Sequence, residues 1–481
     1  MSKKVIKTQN KNSFKAHPIT IFDNLKPLLF VLLLPLLKAL INAVLRREIN
    51  GLFLNEFLAL AVLLTYSVLK WRVFSLKLTE NTVQITKGLF LRRVAEIPIA
   101  KISTVGMTTT LPDRAFGSAT LRINTEAGKK GRTDYEIRLK RADALLVAEA
   151  LSFESSAQTL KFSPIRVAIM SAAASSAFTG LIFTVPVIKT AGELLGTAIE
   201  EVLIDRINAV SLLNKVFPPI INTITIIFLL LYSVSFLVSF LRCVNFKATL
   251  GNGKIEISNG LLTKRRVSFK IKTVNCTLIE QAPLMRMCRR YLVRVGIGGY
   301  GDNKGNKGVV VPSAKKHEVH KLFTALFPRV KVPDRMIRPS LYARYRFYLI
   351  PTVYTAVLIA AYLIMINLFP AFKDLINFGG VIAAVVLVYY FSLAEYNVKN
   401  SALAINDVIY AKYTHWAATR EMFCEADRIG VINITRWPLD RRIGTCGIRF
   451  TVRSENAESI KVKHINYKEV MDRLSEFYHF E

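Results

Sequence analysis

The chain has 481 residues, of which 52% are hydrophobic, and its mean hydropathy is +0.32. It carries 66 Lys and Arg against 34 Asp and Glu, which gives a formal net charge of +32. Long apolar runs that alternate with basic segments exclude an ordinary soluble chain and favour an integral membrane protein. Five cysteines without a C-x-x-C pair argue against a disulfide framework and for reduced thiols in the cytosol.

Six apolar segments approach the roughly 20 residues that a helix needs to cross a bilayer. They predict six transmembrane helices in three pairs, at Leu28–Leu45, Gly51–Leu69, Val167–Val187, Val216–Leu241, Phe347–Leu368 and Phe378–Leu393. Between the third and fourth, residues 188–215 have apolar residues at helical spacing opposite an acidic side. That pattern is typical of an amphipathic helix lying on the membrane, or of an ordinary surface helix that covers the bundle.

The segments outside the apolar pairs predict three domains, each a strand-rich sheet closed by one C-terminal helix. Lys and Arg are more frequent beside these domains than in the hairpin loops, which predicts that the domains and both termini are cytoplasmic. The predicted order is a basic tail (1–27), pair one (28–69), domain one (70–165), pair two (166–241), domain two with a linker (242–346), pair three (347–393) and domain three (394–481).

An internal repeat connects the three domains. Leu78–Arg114 aligns without gaps on Leu250–Arg286 at an offset of 172, and a 14-residue block ends in an arginine in all three domains. The block and the residues after it carry an I-x-x-V…P-L-x-R-x-x-G pattern. The matching residues are Ile102, Val105, Pro112, Arg114 and Gly117, then Val274, Pro283, Leu284 and Arg286, then Ile429, Ile432, Pro438, Leu439, Arg441 and Gly444.

This pattern after paired apolar helices resembles bacterial PH-like domains of the membrane-flanked YdbS/YdbT type. The resemblance implies a PH-like fold, a seven-stranded β-barrel capped by a helix, and says little about a ligand. In domain one the proline is shifted by one position, and in domain two Arg289 replaces the glycine. From the residues alone, the proline sets a turn, and the arginine packs its stem and caps carbonyls at the strand that follows, with a binding role as the alternative. Gly117 and Gly444 allow a backbone geometry that Arg289 does not easily adopt.

No arrangement of residues predicts catalysis, a cofactor or a metal. Gly296–Gly301 superficially matches a dinucleotide fingerprint, but strand-like residues follow where a helix is needed, so a flexible hairpin loop is predicted. His317 and His320 share a predicted helix face without the third ligand that a metal site needs. The chain is therefore predicted not to be an enzyme.

Charged residues give the remaining predictions. Lys38 and Glu56 fall at similar depth in two adjacent apolar segments, which predicts an ion pair in the membrane or two side chains that reach separately for the interface. Domain two has 23 Lys and Arg against five Asp and Glu, whereas domains one and three have 16 against nine and 13 against 12. We expect contact with anionic lipid or a partner at Lys264, Arg265, Arg266, Lys304 and Lys307, unless these charges only set topology. Nucleic acid is not expected, because aromatic residues do not interleave with the basic stretches.

These predictions describe a non-enzymatic inner-membrane scaffold. It presents three cytoplasmic PH-like domains to membrane lipids, partner proteins or further copies of itself. The alternative is a component of a transport or export system, in which the helix bundle forms the pathway.

Overall fold

The computed structural model describes residues 13–25, 51–125, 134–151, 158–175, 219–251, 253–297, 308–326, 335–415, 418–452 and 459–477. The chain divides into two compact units. Unit one is Met1–Phe162, Leu241–Thr273 and Gly298–Asn303, and unit two is Ser163–Phe240, Val274–Ile297 and Lys304–Glu481.

One order of elements recurs three times along the described chain. Each copy has three strands, a single 3₁₀ turn, a strand, a short helix, two further strands and a closing helix. We define the first, second and third copies as residues 75–151, 247–326 and 402–477.

The first copy and the elements before it have the following bounds: β1 (Ser13–Phe14), α1 (Gly51–Val73), β2 (Ser75–Leu78), β3 (Thr82–Lys87), β4 (Arg93–Pro98), β5 (Ile102–Thr109), α2 (Leu111–Ala115), β6 (Ser118–Thr125), β7 (Tyr135–Lys140) and α3 (Arg141–Leu151). Apolar and polar residues alternate along its strands, so that one face is buried, as at Val83 and Ile85. Eighteen buried residues from both halves of the copy, from α3 and from Phe14 of β1 form one hydrophobic core.

The second copy follows the same plan: β8 (Gln158–Lys161), α4 (Pro164–Ala174), α5 (Pro219–Cys243), β9 (Lys247–Gly251), β10 (Lys254–Asn259), β11 (Lys264–Lys270), β12 (Val274–Gln281), α6 (Pro283–Met287), β13 (Arg290–Ile297), β14 (Val309–Lys315) and α7 (Lys316–Leu326). Its strands β9–β11 belong to unit one and its strands β12 and β13 to unit two.

The third copy lies in unit two: α8 (Arg344–Leu368), α9 (Lys373–Asn400), β15 (Ala402–Ala404), β16 (Val408–His415), β17 (Ala418–Glu425), β18 (Ile429–Thr435), α10 (Pro438–Ile443), β19 (Thr445–Val452), β20 (Ser459–Asn466) and α11 (Tyr467–Phe477). Its core contains buried residues of β15–β20 and α11, together with Cys276 and Leu278 of β12.

A strand or bridge that precedes the apolar helices of each copy pairs with the first strand that follows them. β1 pairs with β2, β8 pairs with β9, and Ile337 forms an isolated bridge with Leu403 of β15. The chain therefore leaves each sheet, passes through apolar helices and returns to the same sheet.

Successive copies share sheets, a feature that the sequence did not indicate. The sheet orders are β1-β2-β3-β4, β7-β6-β5-β11-β10-β9-β8, β14-β13-β12-β17-β16-β15 and β18-β19-β20. The fourth strand of one copy thus pairs antiparallel with the third strand of the next, as β5 with β11 and β12 with β17. We call these two contacts the strand junctions.

Both strand junctions have the same register. Val105 lies opposite Ser268 in the first, and Thr277 lies opposite Phe423 in the second. The offset between the first two copies is 172, and Arg286 and Arg441 show that the next offset is 155. Under these offsets Val105 corresponds to Thr277, and Ser268 to Phe423. The same strand–strand interface therefore occurs twice in the chain.

The prediction of six transmembrane helices in three pairs is wrong. Among the described residues, two helices are long and apolar enough to cross a membrane, Arg344–Leu368 and Gly379–Asn400. The predicted span Val167–Val187 is not one continuous helix, because α4 ends at Ala174 and Ser175 is extended. Val167 and Met170 of α4 are buried, so the described part of this apolar run packs against protein instead.

The fold that replaces the prediction is α+β, with several antiparallel sheets and one candidate pair of apolar helices, α8 and α9. Hydropathy failed here because it scores a run of residues without showing whether the backbone stays helical or which atoms cover it. The predicted span Leu28–Leu45 and the amphipathic segment 188–215 lie outside the described residues.

Candidate functional site

A basic cavity lies where the apolar helices α8 and α9 meet the third copy. Its volume is about 130 Å³, close to the roughly 150 Å³ that accommodates a benzene-sized molecule. The lining residues come from the first turns of α8, the end of α9, and strands β16 and β20. They are Arg346, Phe347, Ile350, Asn397, Ser401, Tyr413, Thr414, Lys461, Lys463 and His464.

Asp440 fixes one wall of the cavity. Its Oδ1 is 3.0 Å from Nε of Arg346 and 3.4 Å from Nδ1 of His464, and its Oδ2 accepts a hydrogen bond from the Trp437 amide. Burial opposes ionisation of Asp440, but these hydrogen bonds and the nearby positive charges outweigh it and lower its pKa. The carboxylate therefore stays ionised and anchors the start of α8 to the third copy.

Burial lowers the pKa of His464, and the Arg346 charge adds to this, although Asp440 acts in the opposite direction. The ring packs edge-on against Phe347, with centroids 4.9 Å apart. His464 is therefore a neutral wall of the cavity at neutral pH.

Two lysines on β20 supply the positive charge that remains. Lys461 and Lys463 are both exposed, and among the described residues neither has a carboxylate within salt-bridge distance. The pKa of Lys461 is lowered by partial burial and by the charges of Lys463 and Arg449. Mutual repulsion of this kind is relieved when an anion binds between the charges.

Two polar atoms at the cavity have no hydrogen-bond partner among the described residues. They are Oδ1 of Asn397 and Oγ1 of Thr414, and both are buried. A buried polar atom without a partner costs about 1–3 kcal/mol. The cavity thus combines unpaired positive charge with unused hydrogen-bonding groups, an arrangement suited to a small anion that also carries hydroxyl groups.

The signature block forms a helical turn between two strands in every copy. In the first, Asp113 is fully buried and accepts hydrogen bonds from Thr110 and Ser118, with Nε of Arg138 3.4 Å away. In the third copy Asp440 takes the equivalent place, and in the second the buried Met285 does. The sequence pattern overlooked this aspartate, although two of three copies share it.

The signature arginines connect one copy to the next. Nη2 of Arg114 donates a hydrogen bond to the carbonyl of Leu261 in the second copy. Arg286 lies 3.8 Å from the centroid of the Tyr396 ring at the end of α9, and donates to Oγ1 of Thr419 at 3.2 Å. Thr419 in turn donates to the Tyr396 hydroxyl. Arg441, in the last copy, is exposed.

The residue three positions after each arginine is left-handed in all copies. The backbone φ is +68° at Gly117, +73° at Gly444 and +52° at Arg289. Arg289 therefore adopts the left-handed geometry that was expected to be difficult for a residue with a side chain. Pro283 and Pro438 open their helical turns as the first residue, where a missing amide hydrogen costs nothing.

The model of the Bacterial PH domain family matches residues 30–152 and 194–330, which together make up more than half of the chain. The chain belongs to the Bacterial PH domain family. The two matched regions contain the first and second copies. No curated protein matches the chain.

In this bacterial PH domain protein, three of the predicted basic residues of the second copy lie at the first strand junction. Lys264, Arg265 and Arg266 begin β11 and face Thr109, Thr108 and Met107 of β5 across the first strand junction. Arg266 is paired with Glu256, with Nη2 and Oε2 3.2 Å apart. Lys304 and Lys307 lie outside the described residues.

The other predicted residues of this bacterial PH domain protein fall as follows. Lys38 and the side chain of Glu56 lie outside the described residues, so their predicted ion pair stays a prediction. His317 and His320 lie on α7. In the described part of the chain, no group of three or more His, Cys, Asp or Glu side chains is arranged to hold a metal ion.

Proposed function

We propose that the protein is a non-enzymatic, membrane-attached binding protein whose basic cavity binds the anionic headgroup of a phospholipid. The observation that carries this proposal is the juxtaposition of Lys461 and Lys463, unpaired among the described residues, with the ends of the two apolar helices. Membership of the Bacterial PH domain family supports it, because PH-like domains are typically modules that bind proteins or lipids.

The position of the cavity favours a lipid over a free anion. Its lining includes the first turns of α8 and the last turn of α9, which are the two ends of the antiparallel pair nearest the third copy. If α8 and α9 cross the bilayer, these ends lie at the depth of the headgroups. The phosphate would lie between the lysines, and headgroup hydroxyls would bond to Asn397 and Thr414.

The wider role that fits these features is a scaffold of three PH-like copies on the cytoplasmic face, of the YdbS/YdbT type. The recurrence of one element order in residues 402–477 supports a third PH-like copy. The excess of Lys and Arg supports a cytoplasmic location. Partner proteins would bind surfaces other than the cavity.

The test is thermal stabilisation of the full chain in non-ionic detergent by short-chain phosphatidylglycerol, with short-chain phosphatidylcholine and free glycerol phosphate as comparisons. We expect stabilisation by phosphatidylglycerol in the wild type. Since each lysine near an anionic surface contributes about 1 kcal/mol, Lys461→Gln with Lys463→Gln should weaken apparent binding roughly 25-fold.

The matched control is Lys468→Gln with Lys77→Gln, which removes the same charge from two exposed residues that do not line the cavity. The control should bind like the wild type. Equal loss in the two double variants would mean that total charge, and not the cavity, attracts the lipid. Stabilisation by glycerol phosphate as strong as that by the lipid would reassign the site to a soluble anion.

A further inference from the structure

Two strand edges of the kind that pair in the strand junctions have no partner in the described chain. In each junction a fourth strand (β5 or β12) pairs with the third strand of the next copy (β11 or β17). Among the described residues, no copy follows the fourth strand of the third copy, β18, and no copy precedes the third strand of the first copy, β4. Both are end strands of their sheets.

The exposed fractions of side chains at equivalent positions show which residues a pairing strand would cover. Thr104 in β5 and Cys276 in β12 are 1% and 2% exposed, whereas the equivalent Val431 in β18 is 52% exposed. In β4, Val94 is 58% exposed. Its equivalents Arg266 and Glu421 are partly buried within the junctions. The two free edges therefore carry apolar side chains that are more exposed than the residues at the equivalent positions of the strand junctions.

Large apolar residues flank both free edges. Phe90 and Leu91, in the turn before β4, are 89% and 73% exposed. Trp437 and Leu439, in the turn after β18, are 69% and 48% exposed. Long exposed edge strands are usually protected by charge or by cover, because they template pairing with another chain. Apolar residues at both edges indicate an interface.

We propose that copies of this protein associate head to tail, with β18 of one molecule pairing antiparallel with β4 of the next. The occupant follows from the chain itself, because β4 is the first copy's counterpart of β11 and β17, the strands that fill this place in both junctions. The register that the two strand junctions share, applied to β18 and β4, determines which residues face each other. It pairs Thr435 with Arg93, Ile434 with Val94, Asn433 with Ala95, Ile432 with Glu96 and Val431 with Ile97.

The signature arginine fits the same arrangement. By the equivalence that relates Arg114 to Leu261, Arg441 would reach the carbonyl of Leu89 in the next molecule. One element opposes it, since Arg436 would face Arg92 at the end of the ladder. Like charges in opposed positions are unfavourable, so added salt should strengthen this association instead of weakening it.

A head-to-tail contact uses two different surfaces and makes a specific prediction for mixtures. Val431→Lys blocks the β18 edge and leaves β4 intact, and Val94→Lys does the reverse. Each variant alone should be monomeric in detergent by sedimentation velocity, whereas the wild type forms oligomers. An equimolar mixture of the two variants should form dimers and nothing larger, because each dimer has one intact junction and two blocked ends.

The matched control is Ile165→Lys, which places a lysine at another exposed apolar position, 71% exposed on α4. It should assemble like the wild type, and circular dichroism should show all three variants folded. A monomeric wild type at every concentration would overturn the proposal. Dimers of Val94→Lys alone would instead show a symmetric pairing of two β18 strands, which also contradicts it.

A cross-link tests the register directly. In a Cys288→Ser background, which removes the exposed native thiol, molecules with Thr435→Cys and differently tagged molecules with Arg93→Cys should form a mixed disulfide. Opposed residues of antiparallel strands have the separation that a disulfide needs. Lys77→Cys on β2 replaces Arg93→Cys as the control and should not cross-link. Equal yields from both pairs would mean random collision.

Discussion

Replacing Arg286 by alanine tests whether the signature arginine holds successive copies together. Its guanidinium lies 3.8 Å from the centroid of the Tyr396 ring and donates to Thr419 at 3.2 Å. A half-exposed cation–π contact contributes about 1 kcal/mol, and a charged hydrogen bond contributes about 1.5 kcal/mol. Together they predict that Arg286→Ala destabilises the second strand junction by about 2.5 kcal/mol.

Hydrogen exchange of the β12 and β17 amides measures this junction locally. A loss of about 2.5 kcal/mol corresponds to roughly 60-fold faster exchange. Arg286→Lys keeps the charge but loses the planar contact with the ring, so it should give an intermediate rate. The matched control is Arg441→Ala, which removes the same signature residue from the third copy, the last in the described chain.

Arg441→Ala should leave exchange in the monomeric protein unchanged. If Arg286→Ala and Arg441→Ala accelerate exchange equally, the arginine supports its own turn and the inter-copy role is wrong. If neither has an effect, the strand pairing alone holds the junction.

Three further changes have definite expected results. Arg289→Gly should stabilise the second copy by about 0.5–1 kcal/mol in denaturant unfolding. The backbone φ is +52° there, and glycine relieves that strain, although it also raises the entropy of the unfolded chain. Gly117→Ala should destabilise the first copy by a similar amount. The pKa of Asp440 is lowered on folding, so its contribution to stability is complete above the unfolded pKa near 3.9 and is lost as the pH falls through the folded pKa. Asp440→Asn should therefore reduce the pH dependence of the free energy of unfolding below about pH 4. Because the pKa of His464 is also lowered, stability should begin to fall below about pH 6.5, and His464→Gln should remove that part of the pH dependence.

The sequence predicted the local structure of each copy better than the contacts between copies. Each domain was predicted to be rich in strands and closed by a C-terminal helix, and all three copies have this order of elements. The signature block predicted a turn, and each copy has one. These features depend on near neighbours in the chain, which periodicity and turn residues report.

The strand junctions could not be predicted in this way. A strand that pairs with its own copy on one side and with another copy on the other, such as β12, differs from an edge strand in its neighbours, and its own residues do not identify them. In the structure, side-chain exposure distinguishes the edge strand β18 from the paired strand β12, but the sequence alone does not show which strands are paired. The same limit applies to α4, whose apolar run packs against protein.

The basic cavity was missed for a related reason. Predicted domain three, residues 394–481, has 13 Lys and Arg against 12 Asp and Glu, so its overall charge gave no signal. Binding depends on where charges are left unpaired, and folding places Lys461 and Lys463 at the cavity while Arg346 is neutralised by Asp440. Conversely, Arg266 in the more basic second copy is paired with Glu256.

Native mass spectrometry of the full chain, released from detergent with a mixture of phosphatidylglycerol and phosphatidylcholine, tests the headgroup site most directly. The wild type and the Lys468→Gln, Lys77→Gln control should retain phosphatidylglycerol in preference to phosphatidylcholine. The Lys461→Gln, Lys463→Gln variant should lose that preference while keeping its fold. Retention of phosphatidylglycerol by this variant at the wild-type level would contradict the assignment of the cavity as a headgroup site.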